Sequence, residues 1–147
     1  METIEMAAYA FTNESIAKAL LDAVKRGVKV SLVMDRSETK GPQGSLHDEL
    51  EKAGTAIRLI SPPGGIMHSK FIVIDEKNVE WGSYNYTTRA EDANFENATF
   101  LSNSNLAQKY RSDFISIYSQ ATPEAQGLRR PLRRFLRRLR SPFKSRG

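Results

Sequence analysis

The sequence of 147 residues predicts an α/β fold in which a mixed β-sheet is flanked by helices. Strand-like and helix-like apolar patterns alternate in the first half of the chain, whereas strand-like patterns cluster in the second half. No cysteine is present, which excludes disulfides, thiol catalysis and cysteine-ligated metal sites. Because the chain has only two histidines, we also expect no multi-histidine metal site within one chain, and no cofactor is predicted.

Turn and capping residues separate the predicted elements. The predicted strands cover residues 4–11, 28–34, 56–60, 68–75, 79–85 and 98–101, and the predicted helices cover residues 16–24, 46–53 and 106–118. The strand at residues 68–75 contains the run FIVI, which is apolar on both faces. We therefore expect this strand in the centre of the sheet.

The charge divides the chain into a folded part, residues 1–122, and a tail, residues 123–147. Residues 129–147 contain nine basic and no acidic side chains, whereas residues 1–128 carry 13 basic and 17 acidic ones, a net charge of −4. Apolar side chains recur through the tail at helical spacing, which predicts a basic amphipathic helix or a disordered arm. These side chains are Leu128, Leu132, Phe135, Leu136, Leu139 and Phe143.

The arginines of the tail are candidates for binding anions. Seven of them form the candidate set: Arg129, Arg130, Arg133, Arg134, Arg137, Arg138 and Arg140. Such a tail could bind the phosphates of a nucleic acid or an anionic membrane surface. Alternatively, it has no specific target and only keeps the chain soluble. No apolar run reaches the length of a membrane span, and the first residues lack the pattern of a secretory signal, so the chain as written is expected to be cytoplasmic.

The most informative segment begins at His68. His68 and Lys70 are two residues apart, Asp75 follows five residues later, and the segment Gly82-Ser83-Tyr84-Asn85 completes the set. Lys70, Ser83 and Asn85 offer a charge and hydrogen bonds to a phosphoryl group, and His68 offers a nucleophilic nitrogen. Each of these residues alone is compatible with a structural role, so the prediction depends on the whole ordered set.

At these residues the sequence resembles the phospholipase D superfamily, whose HKD signature has this spacing. The resemblance extends over about residues 4–120. Within the superfamily, the sequence most resembles the small bacterial Nuc-type endonucleases, and it is also similar to the Zucchini-type members. It implies a phospholipase D-like α/β sandwich with one HKD motif per chain. It also implies that Glu96 orients the catalytic imidazole and makes it more nucleophilic.

The resemblance implies a two-step hydrolysis of a phosphodiester that requires no metal. One histidine forms a phosphohistidine while a second protonates the leaving oxygen, so activity should be bell-shaped in pH. The catalytic set is then His68, Lys70, Asp75 and Glu96, although strand parity places Asp75 opposite the first two, where we expect it to pair with backbone or with a basic residue near the site. His47 lacks partner residues and is expected on a helix surface, so the second motif would come from a homodimer.

Small members of this family usually have a helix before the first strand, and here Met1 falls almost on that strand. A periplasmic or membrane-associated location is expected if the natural start lies upstream. Three interpretations of the function remain open: an endonuclease on DNA or RNA, a phospholipase D acting on membrane lipids, and a silent HKD domain that only binds a partner.

Overall fold

The structure is a computed structural model that describes residues 1–39 and 44–123. The strands of these residues are β1 (Thr3–Ala8), β2 (Lys29–Asp35), β3 (Ala56–Ile60), β4 (Lys70–Ile74), β5 (Asn78–Gly82), β6 (Ala98–Ser102) and β7 (Thr122–Pro123). The helices are α1 (Glu14–Lys25), α2 (Gly44–Lys52), α3 (Thr88–Ala93) and α4 (Ser104–Gln120), with a 3-10 helix at Arg36–Thr39. The predicted tail and its arginines lie outside the described residues, apart from Pro123 at its start.

The strands form one mixed sheet in the order β6-β5-β4-β1-β2-β3-β7. β1, β2 and β3 are parallel, while β4, β5, β6 and β7 join antiparallel to their neighbours. The predicted α/β class and mixed sheet are confirmed. Because β4 runs against β1 with Lys70 opposite Ala8, the carboxyl end of β1 lies beside the start of β4. This edge of the sheet holds the candidate site.

Helices cover the two faces of the sheet unequally. α1 and α2 pack on one face, over a core that includes Met6, Leu32 and Met34. α4 packs on the other face, where Phe114 joins a second core with Phe71. Asn13 caps α1, because its side chain accepts a hydrogen bond from the Ile16 N–H. None of the helices in residues 1–39 and 44–123 is long and apolar enough to span a membrane.

Several element boundaries differ from the prediction. β4 begins at Lys70, so His68 precedes the strand, and β5 ends at Gly82, so Ser83 and Asn85 follow it. The predicted strands at residues 68–75 and 79–85 included His68, Ser83 and Asn85, and these strand boundaries were therefore wrong. α3 was not predicted because its sequence TRAEDA has no apolar period, and β7 was not predicted because it has only two residues.

His47 was predicted on a helix surface, and this prediction was wrong. Its side chain is 1% exposed and stacks on Phe11 with ring centroids 6.4 Å apart. Burial lowers the pKa of the His47 imidazole, which keeps the ring neutral. The charged neighbours in LHDE made the position look exposed, but α2 turns His47 toward the core and leaves Asp48 and Glu49 in solvent.

Candidate active site

His68 lies two residues before β4, and its side chain is exposed. Its ring contacts the Tyr9 ring edge to face, with centroids 4.6 Å apart. Tyr9 follows β1, and its N–H donates to the Ser69 carbonyl at 3.1 Å, which fixes the two segments together. The Tyr9 hydroxyl in turn donates to Glu38 Oε1 at 3.2 Å. Tyr9 therefore supports one side of the imidazole and leaves the rest of it open to solvent.

Lys70 is the buried cation of the site. Its side chain is 9% exposed, and Nζ donates to the His68 carbonyl oxygen at 2.7 Å while lying 5.2 Å from the Tyr9 ring centroid. Burial lowers the pKa of the Lys70 ammonium, and the nearby Glu96 carboxylate acts in the opposite direction. A desolvated ammonium beside His68 is well placed to stabilise negative charge on an oxyanion.

Ser83 and Glu96 form a hydrogen-bonded pair across the site. Ser83 Oγ donates to Glu96 Oε2 at 2.5 Å and accepts from the Asn97 N–H at 3.0 Å. Asn94 Nδ2 donates to Glu96 Oε1 at 3.0 Å. Hydrogen bonds from Ser83 and Asn94 lower the pKa of the Glu96 carboxyl, which keeps it ionised.

Glu96 is expected to orient the imidazole of His68, but the two side chains are not hydrogen-bonded within one chain. No hydrogen bond links Glu96 to His68 within the residues that the structure describes, and the Glu96 oxygens accept from Ser83 and Asn94 instead. The predicted role of Glu96 therefore needs either a different arrangement of these side chains or the His68 ring of a second chain.

Gly82 fixes the approach of the loop that carries Glu96. β5 and β6 pair Gly82 with Ala98, and a Cβ on Gly82 would lie 2.1 Å from the Asn97 carbonyl oxygen. No side chain fits this contact, so the glycine lets the Glu96 loop close against Ser83.

Substituting Gly82→Ala is therefore expected to lower the free energy of unfolding by roughly 3 kcal/mol, because the clash is with backbone and the strands must separate. Gly65→Ala is a matched control, since its nearest neighbour, Pro62 Cβ, would be 4.0 Å away. Urea unfolding of both variants measures the difference. Equal stability of the two variants would contradict the close contact.

Asn85 and Asp75 have different positions relative to this set. Asn85 is partly buried, and its Oδ1 has no hydrogen-bond partner among residues 1–39 and 44–123.

Asp75 lies beyond the far end of β4, about 16 Å of strand from Lys70. Its Oδ1 accepts the N–H groups of Glu2 and Thr3, so it pairs with backbone as expected, but not near the site. This corrects the grouping of Asp75 with the catalytic residues, because it cannot touch a phosphate at His68.

Two groups that the sequence analysis did not assign position His68. One is Tyr9, described above, and the other is Asp35 at the end of β2. The buried Asp35 Oδ2 accepts the N–H of Met67 at 2.7 Å, directly before His68. Hydrogen bonds from Ser37 and Met67 lower the pKa of the Asp35 carboxyl despite burial, which acts to raise it. The sequence feature that could have identified Asp35 is an acidic residue at the end of an apolar strand.

An open cleft lies beside His68 and Lys70 and is also lined by Trp81 of β5 and by Tyr110 and Asp113 of α4. Its lining is mixed polar and aromatic. No group of three or more histidine, aspartate or glutamate side chains in the described part of the chain is placed to hold a metal ion.

Comparison with solved structures supports the fold. The chain is similar to Nuc from Salmonella typhimurium, described as a phospholipase D family member, with a TM-score of 0.79 and 34% identity. This similarity covers 84% of the present chain and 82% of the Salmonella chain.

Comparison with curated sequences gives a phospholipase D of Rickettsia bellii, 39% identical over 115 residues, or 78% of this chain and 56% of the relative. It also gives a mitochondrial cardiolipin hydrolase of Xenopus laevis, 31% identical over 121 residues, or 82% of this chain and 57% of the relative. The chain thus spans about half the length of the curated relatives it matches.

A family model also matches most of the chain. It is described as "Cardiolipin synthase, PLD-like domain" and matches residues 1–118. These residues include the whole ordered set from His68 to Glu96 and end inside α4. The chain belongs to the phospholipase D superfamily, as a PLD-like domain with a single HKD motif.

Proposed function

We propose that this chain hydrolyses phosphodiester bonds through a phosphohistidine intermediate, as a homodimer in which two His68 side chains share one site. The contrast between the two histidines of the chain is the observation that supports this best. His68 is exposed beside the buried ammonium of Lys70, whereas His47 is enclosed in the core and cannot reach a substrate. A general acid that is also a histidine must therefore come from another chain.

In the first step the imidazole nitrogen of one His68 attacks phosphorus, and the bond from phosphorus to the leaving oxygen breaks. The second His68 gives its proton to that oxygen. In the next step the second His68 takes a proton from water, the water oxygen attacks phosphorus, and the phosphorus–nitrogen bond breaks. Lys70 stabilises the charge on the phosphoryl oxygens in both steps, with Ser83 and Asn85 as hydrogen-bonding groups.

The substrate that we propose is DNA or RNA, cleaved internally and without a metal. Phe95 supports this choice, because its side chain is fully exposed beside Glu96 and a base can stack on it. The basic residues 129–147 would add affinity by releasing counterions from phosphates. The names of the curated relatives favour a second candidate, a phospholipid headgroup ester, which the same chemistry would cleave.

A substrate panel separates these candidates. Single-stranded DNA, RNA and vesicles of phosphatidylcholine with phosphatidylglycerol are each incubated with the wild type and with His68→Asn, all in EDTA. We expect the wild type to cut a nucleic acid and the variant to be inactive. Cleavage of the vesicles alone would replace the nuclease proposal with the lipid one. No cleavage of any substrate by a chain shown to be a folded dimer would support the binding-module interpretation.

Tyr9 is proposed as a positioning residue for this reaction. If its ring holds the imidazole, Tyr9→Leu should lower kcat about 10-fold with little change in KM, because the loss of one supporting contact misplaces the nucleophile. Tyr9→Phe keeps the ring contact and should restore most of kcat. Steady-state kinetics of both variants test this. A Tyr9→Phe variant as slow as Tyr9→Leu would assign the effect to the hydroxyl and its bond to Glu38 instead.

A further inference from the structure

His47 lies where α2 packs on the segment that follows β1. Its side chain is buried, and its ring stacks on the Phe11 ring with an angle of 19° between the two planes. Neither ring nitrogen makes a hydrogen bond with the residues that the structure describes. A neutral imidazole therefore already leaves one donor and one acceptor unpaired in the core. Protonation would add a second donor and a positive charge at the same place.

The charged groups around His47 do not compensate for its burial. The neighbours of α2 are α1 and β3. The charged side chains of α1 are exposed or paired with each other, and they are Glu14, Lys18, Asp22 and Lys25. Arg58 of β3 donates to the Tyr118 carbonyl of α4 instead. Burial lowers the pKa of His47, and it outweighs the Phe11 backbone and the Asp48 carboxylate, which act in the opposite direction.

The segment that carries Phe11 continues directly from the support of the proposed nucleophile. Tyr9 lies two residues before Phe11, and its ring contacts the His68 ring with centroids 4.6 Å apart. The Tyr9 N–H also donates to the Ser69 carbonyl at 3.1 Å. A shift of Phe11 would therefore reach His68 through only two residues of backbone.

The same segment holds the other half of the candidate site. Phe11 pairs with Tyr86 in a parallel bridge, and the next two N–H groups of the chain donate to the Tyr86 carbonyl at 2.9 and 3.0 Å. Tyr86 is buried, and it directly follows Asn85, a hydrogen-bonding group of the proposed site. Residues 9–13 thus join the two halves of the site, and the His47 ring is packed against them from α2.

We propose that His47 is an acid-sensitive latch for the active site. An imidazolium cannot remain in this part of the core, so at acidic pH α2 separates from Phe11, and residues 9–13 lose their support before the whole chain unfolds. The opening itself needs no catalysis, whereas its effect on cleavage rests on the proposed function.

The expected pH range follows from the direction of the pKa shift. Because the fold disfavours charged His47, the opened state takes up a proton as the pH falls through the reference histidine pKa of about 6.5, whereas the closed state does so only at lower pH. The packing of α2 is therefore weakened below about pH 6.5 and is unaffected by His47 above it.

Urea unfolding at several pH values tests the titration in the full chain. The wild type is compared with His47→Met, which cannot titrate. The chain has only two histidines, so His68→Ala, which removes the exposed one, is the matched control. Below about pH 6 the unfolding equilibrium constant of the wild type should rise by up to about 10-fold per pH unit relative to that of His47→Met. His68→Ala should follow the wild type.

The same pH dependence in the wild type and in His47→Met would overturn the proposal. The comparison is made across pH within each protein, so a His47→Met chain that is uniformly less stable remains informative.

Hydrogen exchange, corrected for the intrinsic effect of pH, tests whether the opening is local. In the wild type, amides of α2 and of residues 9–13 should lose protection at about pH 5.5 while those of β2 keep it. In His47→Met all of them should stay protected. Loss of protection in α2 and β2 together would indicate unfolding of the whole chain and would reject a latch.

Cleavage rates at about pH 5.5 and pH 7.5 test the link to the site. His47→Met should keep a larger share of its rate at the lower pH than the wild type does. Equal shares would overturn the link between His47 and the site. The expected exchange pattern in a chain that cleaves no substrate at either pH would instead reject the proposed function and leave the latch in place.

Discussion

His68→Ala is expected to lower the rate of phosphodiester cleavage by about 10⁴-fold or more, because it removes both the nucleophile and the general acid of the proposed pair. Folding should be unaffected, since the His68 side chain is exposed and contacts mainly the Tyr9 ring. Initial rates and thermal unfolding of the wild type and the variant measure the two effects.

The same variant tests the covalent step. Brief incubation of the wild type with a phosphorus-labelled substrate, followed by alkaline quenching, should trap label on the protein that is lost in acid, as a phosphoramidate is. His68→Ala should carry no label. Retained label on the variant, or activity within 10-fold of the wild type, would remove His68 from the role of nucleophile.

Lys70→Met should lower kcat/KM by about 10²–10³-fold, because the ammonium that stabilises the developing charge is lost. The same substitution should not lower the stability of the fold. Burial lowers the pKa of Lys70, which means that the fold disfavours the charged form, and methionine removes that cost. We therefore expect an unchanged or higher unfolding midpoint alongside the loss of activity.

Lys109→Met is the matched control for Lys70, since Lys109 is an exposed residue of α4. It should leave both activity and stability close to wild type. If Lys70→Met lost activity only in proportion to a loss of folded protein, the ammonium would have a structural role and no part in the chemistry.

The sequence was sufficient to predict the fold class and to identify the set of polar residues from His68 to Glu96. Lys70, Ser83 and Glu96 lie close together as the pattern predicts, since β4 and β5 are neighbours and Gly82 lets the Glu96 loop close. The direct roles of these residues stay predictions. Asp75 shares the signature but lies at the other end of β4, where it fixes the backbone of β1, so the signature spacing did not indicate proximity.

Other features depend on tertiary packing, which no local sequence pattern predicts. His47 directly precedes two acidic residues, and only the packing of α2 on Phe11 buries it. Tyr9 follows an apolar strand and looks like one more core residue, but it ends beside His68 because β1 and β4 are antiparallel. The apolar surface that Ile72, Ile74 and Phe100 form could not be anticipated either, because these residues resemble ordinary strand residues until the helix layer is known.

The shared site is the central claim, and subunit mixing tests it most directly. Wild-type chains are refolded with a ninefold excess of His68→Ala chains, and exchange is verified by co-purification through a tag on one of them. If one site needs His68 from both chains, only wild-type pairs are active, and activity per wild-type chain should fall to about one tenth. Unchanged activity per wild-type chain would show that a single chain carries a complete site.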